Sequence, residues 1–196
     1  MRGERIEAVK NGLQVLLSKL RQDPHALETV WMSIITFDRE VHQVLPLTDL
    51  ESLQMPEILT PESGPTNMGA ALEMLLQKSD AEVIRSTDDQ KGDWRPLLFL
   101  MTDGKPSDLA AFREVVPKVK KKNFAAIIAC AAGAEAQDSF LKELTDIVVH
   151  LDTADSNTLV SFFKWVSASI GTGNMSVSST DQLILPPPPD EVHMII

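Results

Sequence analysis

Residues 97–108 read Leu97-Leu98-Phe99-Leu100-Met101-Thr102-Asp103-Gly104-Lys105-Pro106-Ser107-Asp108. Leu97 to Met101 has the length and bulk of a strand buried on both faces. The apolar run stops at Thr102-Asp103-Gly104. Gly104 lets the chain turn sharply, Pro106 fixes a bend, and Ser107 or Asp108 can cap a following helix. Open α/β sheets place their ligands at polar clusters on the carboxyl ends of buried strands. The plainer alternative is a tight turn and nothing more.

Downstream of this stretch, Ser107 to Lys122 reads as a helix with Leu109, Phe112, Val115 and Val119 inward, kinked or interrupted near Pro117. Phe124 to Ala132 reads as a strand, Gln137 to Leu144 as a short helix, Ile147 to Leu151 as a short strand, and Ser156 to Ile170 as an amphipathic helix. Upstream, residues 4 to 21 carry Ile6, Val9, Leu13, Leu16, Leu17 and Leu20 at helical spacing, ended by Asp23-Pro24. Thr29 to Phe37 and Val41 to Pro46 read as a hairpin with the second strand at a sheet edge. A loop rich in Pro, Glu and Ser runs to Ser63. Gly64-Pro65-Thr66-Asn67 then leads into a helix bearing Met68, Ala71, Leu72, Leu75 and Leu76.

This alternation predicts an α/β fold with a doubly wound, mostly parallel sheet and helices on both faces. The chain begins with a helix. The central slot between the strand at 29–37 and the strand at 97–101 therefore has no occupant, and a first central strand is missing. Residues 1–171 form the domain. Residues 172–196 form a low-complexity, Pro-rich tail with four consecutive prolines, Pro186 to Pro189. The tail reads as a disordered terminus; the sharper alternative is a docking peptide or a strand added to a sheet edge.

The 196 residues carry a formal charge of −10, which argues against nucleic acid and anionic membrane as main partners. Cys130, the only cysteine, lies in an apolar run and reads as a buried structural thiol. With no signal-peptide pattern and no span-length apolar run, the expected location is cytoplasmic. His25, His42, His150 and His193 are scattered without metal-ligand spacing.

Asp103 offers carboxylate oxygens. Thr66 offers a hydroxyl at a loop-to-helix junction that the parallel order brings near the same strand ends. Hard oxygen donors of this kind suit Mg²⁺ or Mn²⁺. The plainer role for Thr66 is a helix N-cap, unless Asn67 serves as the cap and leaves Thr66 free.

Gly64-Pro65-Thr66-Asn67-Met68-Gly69-Ala70-Ala71-Leu72 resembles the second metal-site loop of von Willebrand factor type A domains, and Phe99 to Asp108 resembles their third. Further stretches resemble the bacterial tellurite-resistance type A proteins, the TerY group. They include Ile34-Ile35-Thr36-Phe37-Asp38, Pro46-Leu47-Thr48-Asp49-Leu50, Lys91 to Pro96, Ala129 to Gly133, Leu151 to Asp155 and Phe162 to Ser167. The resemblance covers residues 2 to about 173. It implies that Thr66 and Asp103 are metal ligands of a metal-ion-dependent adhesion site, and that a protein partner supplies an acidic residue to the cation. It also implies a role in tellurite resistance and stress response, beside phosphatase- or kinase-like proteins of the same system.

The family's first metal motif, Asp-x-Ser-x-Ser, has no counterpart here, nor does the strand that carries it. Three explanations are a start assigned too late at an internal methionine, a gene truncation, or a cloned fragment; the first is the working hypothesis. The expected consequences are a marginally stable domain unless the tail or a partner fills the slot, and weak divalent binding. The expected function is a non-catalytic protein-interaction module whose adhesion site is incomplete in this chain. The alternative is a phosphoryl-transfer or hydrolytic enzyme using Asp103 with Lys105 nearby. No Gly-x-x-x-x-Gly-Lys-[Ser/Thr], Gly-x-Gly-x-x-Gly or Gly-x-Ser-x-Gly motif supports it.

Overall fold

A computed structural model describes residues 1, 3–60, 64–122, 124–133, 136–151, 153, 155–175, 185–190 and 192–195. The first helix, α1 (Glu4–Leu20), buries Ala8, Gly12, Leu16, Leu17 and Leu20. These lie on the apolar stripe that its 3.6-residue period predicts. It packs on the last helix, α6 (Ser156–Met175). A Cβ at Gly12 would overlap the ring of Phe163, so this glycine sets how closely the two helices approach. α6 runs past its expected end at Ile170.

Asp23-Pro24 does more than end α1. Asp23 Oδ1 accepts from the His25 N–H at 2.9 Å, Pro24 occupies the first helical turn, and a short helix α2 (Pro24–Thr29) follows. Proline suits that turn because its missing N–H would have no helical partner there. Thr29 is therefore helical, and the first strand begins two positions later.

β1 (Trp31–Phe37) and β2 (Val41–Asp49) form the expected antiparallel hairpin. The turn between them is held by Asp38, whose N–H donates to Glu40 O at 3.0 Å and whose Oδ1 accepts from Glu40 N–H at 2.7 Å. α3 (Met68–Glu82) follows. The second group of strands is β3 (Leu97–Thr102), β4 (Ala126–Ala132) and β5 (Ile147–Leu151), mutually parallel. The intervening helices are α4 (Leu109–Lys121) and α5 (Asp138–Leu144). Pro117 does not interrupt α4, which runs on through it. Its ring lies on the exposed side, where the carbonyl left without a donor can turn to water.

Alternation along β4 explains the layering. Ile128, Cys130 and Ala132 join the core beneath α1 and α6, whereas Ala129 and Ala131 join the core beneath α3, α4 and α5. Both faces of the strand are covered, as a doubly wound parallel sheet requires. The Cys130 thiol is buried, and that burial pushes its pKa well up.

The tail departs from expectation. Val192 is 2% exposed and belongs to the core, and β6 (His193–Ile195) pairs antiparallel with β5. Trp165 Nε1 donates to Pro186 O at 2.9 Å. The edge-strand alternative therefore describes this segment, not a disordered terminus. Ser176 to Thr180 and Leu183-Ile184 lie outside the described residues.

The strands form two sheets, β1-β2 and β3-β4-β5-β6. Among the described residues no strand stands between β1 and β3. An open cleft runs through that position and on to residues 57–60 and 91–96, with a total volume of about 1300 Å³. Every residue of β1 and of β3 lines it, roofed by Val9 and Leu13 of α1 with Phe163 and Val166 of α6, and floored by Leu72 and Leu75 of α3. For this reason β3 is not buried on both faces as its sequence predicts. Only Leu100 and Thr102 are buried; the other positions are half-buried along the cavity.

Candidate functional site at the carboxyl ends of the strands

Three loops meet where β1 and β3 end. The hairpin turn reaches the loop before α3: Asn67 N–H donates to Asp38 O at 2.9 Å, and Asn67 Nδ2 donates to Arg39 O at 2.9 Å. The same loop is stitched to the one after β3. Thr66 N–H donates to Ser107 Oγ at 2.8 Å, and Ser107 N–H donates to Thr66 O at 2.8 Å. Because both strands end at this loop pair, β1 and β3 run in the same direction across the cavity.

Capping follows a route that linear spacing does not reveal. Neither Thr66 nor Asn67 caps α3, and neither Ser107 nor Asp108 caps α4 through its side chain. Asp108 reaches across to α3 instead. Its two oxygens accept from Gly69 N–H at 3.0 Å and Ala70 N–H at 2.9 Å. A carboxylate at the positive end of a helix is favoured by both hydrogen bonding and the dipole. Gly69 allows this approach, since a Cβ there would lie 2.7 Å from Ala111 C and 2.9 Å from Asp108 Oδ2.

The two residues singled out in the sequence come together. Thr66 and Asp103 line the same cavity at its carboxyl end. Thr66 Oγ1 lies 3.6 Å from where a Cβ on Gly104 would sit, which places the hydroxyl beside the third loop. Among the described residues no hydrogen bond engages Thr66 Oγ1. Within the third loop, Gly104 N–H donates to Thr102 Oγ1 at 3.2 Å, which tightens the turn.

The Asp103 side chain is 25% exposed and faces two cations. The Met1 ammonium donates to Oδ1 at 3.2 Å, and Arg5 Nη1 lies 3.8 Å from Oδ2. Sequence reasoning missed Met1, Arg5 and the cross-cap of Asp108, because each contact joins residues that only the tertiary fold brings together. Lys105 is exposed.

A hard divalent ion needs about six oxygen donors, usually including one or two carboxylates. Asp103 and Thr66 have the right chemistry but supply a small part of such a set. Among the described residues no group of three or more His, Cys, Asp or Glu side chains gathers to hold a metal. Among the described residues, no helix is long and apolar enough to cross a membrane.

The sequence matches the profile of the von Willebrand factor type A domain over residues 1–164. The chain belongs to this family. Two solved structures share the fold. One is proximal thread matrix protein 1 from the mussel byssus (crystal form 2), with TM-score 0.61 and 19% identity, covering 83% of this chain and 42% of that one. The other is the manganese-loaded TRAP protein of Plasmodium vivax, with TM-score 0.50 and 18% identity, covering 74% and 61%. This chain thus spans less than two thirds of either protein's length. No curated protein matched it. Type A domains are in general protein-interaction modules, and membership gives this chain that coarse assignment. The doubly wound architecture expected from the order of elements is the family's own.

Proposed function

We propose that this type A domain is a non-catalytic protein-interaction module that binds partners at the carboxyl ends of β1 and β3. A divalent ion, Mg²⁺ or Mn²⁺, is held weakly there by Thr66 and Asp103, and an acidic residue of the partner completes its shell. The observation that carries this reading is the stitched pair of loops. Thr66 and Asp103 line one cavity end, and the hydroxyl is engaged by no hydrogen bond among the described residues. A manganese-loaded structure with the same fold supports a divalent ion as the ligand class. The sequence stretches that resemble the tellurite-resistance group extend the proposal to a cytoplasmic stress-response setting, with phosphatase- or kinase-like partners.

Calorimetric titration of Mn²⁺ into the chain tests it. Binding weaker than micromolar, abolished by Asp103→Ala, is expected. Submicromolar binding would contradict the incomplete donor set. Partner retention undiminished by EDTA in a pull-down would overturn the metal-dependent mode.

A further inference from the structure

We propose that the groove between α6 and the outer edge of β5 is a peptide-docking site, held closed by residues 185–195 of the chain itself. Its ligand in trans is a partner protein's extended segment of the same pattern: a proline run, an apolar anchor and a short strand. The tail shows what the groove accepts. Trp165, 4% exposed, lies beside Phe162 with ring centroids 6.0 Å apart, and its indole N–H donates to Pro186 O at 2.9 Å. Aromatic-lined surfaces read proline-rich segments, whose extended form is set before binding and costs little entropy. Val192 N–H then donates to Pro189 O at 2.9 Å, which turns the chain from the prolines into the strand. The Val192 side chain joins the core that holds Val149, Leu151 and Trp165, and Leu185 packs against the same core. Beyond it, His193, Met194 and Ile195 pair with His150, Val149 and Val148, which is strand addition to a sheet edge.

This segment is an addition to a finished domain. The match to the family profile ends at residue 164, and β3, β4 and β5 form their parallel ladders without it. β6 runs the other way, spans only His193–Ile195 and leaves His193 and Met194 exposed. So short an edge strand opens at a lower free energy than the central ladder. The buried Val192 side chain and the Trp165 hydrogen bond anchor it, and an extended segment with the same pattern supplies both. Tethering through residues 176–184 keeps the tail at high effective concentration, so a ligand in trans binds against that competition. The tail of a second copy has no advantage over the tethered one, which leaves a different protein as the ligand. The groove lies on the far side of β4 from the loops of Thr66 and Asp103 and is independent of the divalent reading.

Val192→Ala in the full chain tests this, because it loosens the tail and spares the groove. The probe is a fluorescein-labelled peptide with the sequence of residues 185–196, followed by fluorescence anisotropy. Truncating the buried valine weakens the closed state about tenfold, and the apparent affinity for the probe should rise by that factor. A probe carrying the same Val192→Ala change should bind about tenfold more weakly. Trp165→Phe, added to the loosened chain, keeps the ring, removes the donor and should lower the affinity about fivefold. EDTA should change nothing. A Val192→Ala chain that is destabilised in urea yet gains no affinity would overturn the proposal and leave the tail as a fixed strap. If that variant does not fold, amide exchange of the parent chain decides: exchange at least about tenfold faster in β6 than in β4 is expected, and equal exchange would overturn it. Dimers between the loosened and parent chains in sedimentation would assign the groove to a second copy and overturn the partner assignment.

Discussion

Replacing Asp108 with alanine should destabilise α3, the helix that Asp108 does not belong to. The carboxylate accepts from Gly69 N–H at 3.0 Å and Ala70 N–H at 2.9 Å. Loss of an N-cap acceptor costs about 0.5–2 kcal/mol, and hydrogen bonds to a charged acceptor lie toward the upper end. The junction is only partly buried, so water recovers some of the loss. The expected cost is about 2 kcal/mol, or about 4–8 °C in melting temperature for a chain of this size. Asp108→Asn keeps one carbonyl acceptor without the charge and should cost about half as much. Urea denaturation measures the size, and amide exchange measures the place. Protection should fall at Gly69 and Ala70, with Ala110 and Ala111 little changed. Exchange that quickens only at Ala110 and Ala111 would refute the cross-cap and restore the local cap expected from sequence. A destabilisation below about 0.5 kcal/mol would refute the energetic part.

Gly69→Ala should cost about 1–3 kcal/mol by overpacking, because the new Cβ meets the backbone of Ala111 and Phe112; equilibrium denaturation reads it. Val192→Ala should cost about 1.5–2.5 kcal/mol if the tail residue is truly in the core, and a neutral result in the same assay would return the tail to solvent. Asp155 caps α6. The Thr153 hydroxyl, then the Thr158 N–H, holds its pKa below the usual 3.8. Its stabilisation is therefore present above the unfolded value and lost as pH falls through the lower folded value. In thermal melts, Asp155→Asn should differ from the parent chain most near neutral pH, and the gap should close below pH 3.8.

Local chemistry explains what the sequence made legible. The order of strands and helices follows from apolar period and punctuation, and β4 shows why: its alternating residues feed two cores on opposite faces. Thr66 and Asp103 were legible as neighbours because the parallel order brings the two loops to one end of the sheet. Partnerships across the fold were not. Asp108 has the residue type and position of an ordinary cap for α4, and nothing in its spacing tells that its oxygens point to α3. The short helix α2 was missed because Asp-Pro reads equally as a stop for one helix and a start for the next. The edge strand β6 was legible only as the alternative to a disordered terminus, because three residues after a proline run carry almost no periodic signal.

The separation of the two sheets decides what holds the site together. In a continuous sheet, ladder hydrogen bonds would fix the carboxyl end of β1 relative to that of β3. Here no described strand bridges them, and alignment rests on the loop contacts and helix layers. Asn67 ties the second loop to the hairpin turn, Thr66 and Ser107 tie it to the third loop, and Asp108 anchors the third loop on α3. Ser107→Ala removes one stitch, at a cost of about 1 kcal/mol, and leaves the strands untouched. If these loops align the site, this substitution should weaken Mn²⁺ binding, read by calorimetric titration, without a comparable loss of fold stability. An unchanged Mn²⁺ affinity would mean that this stitch contributes nothing to the alignment.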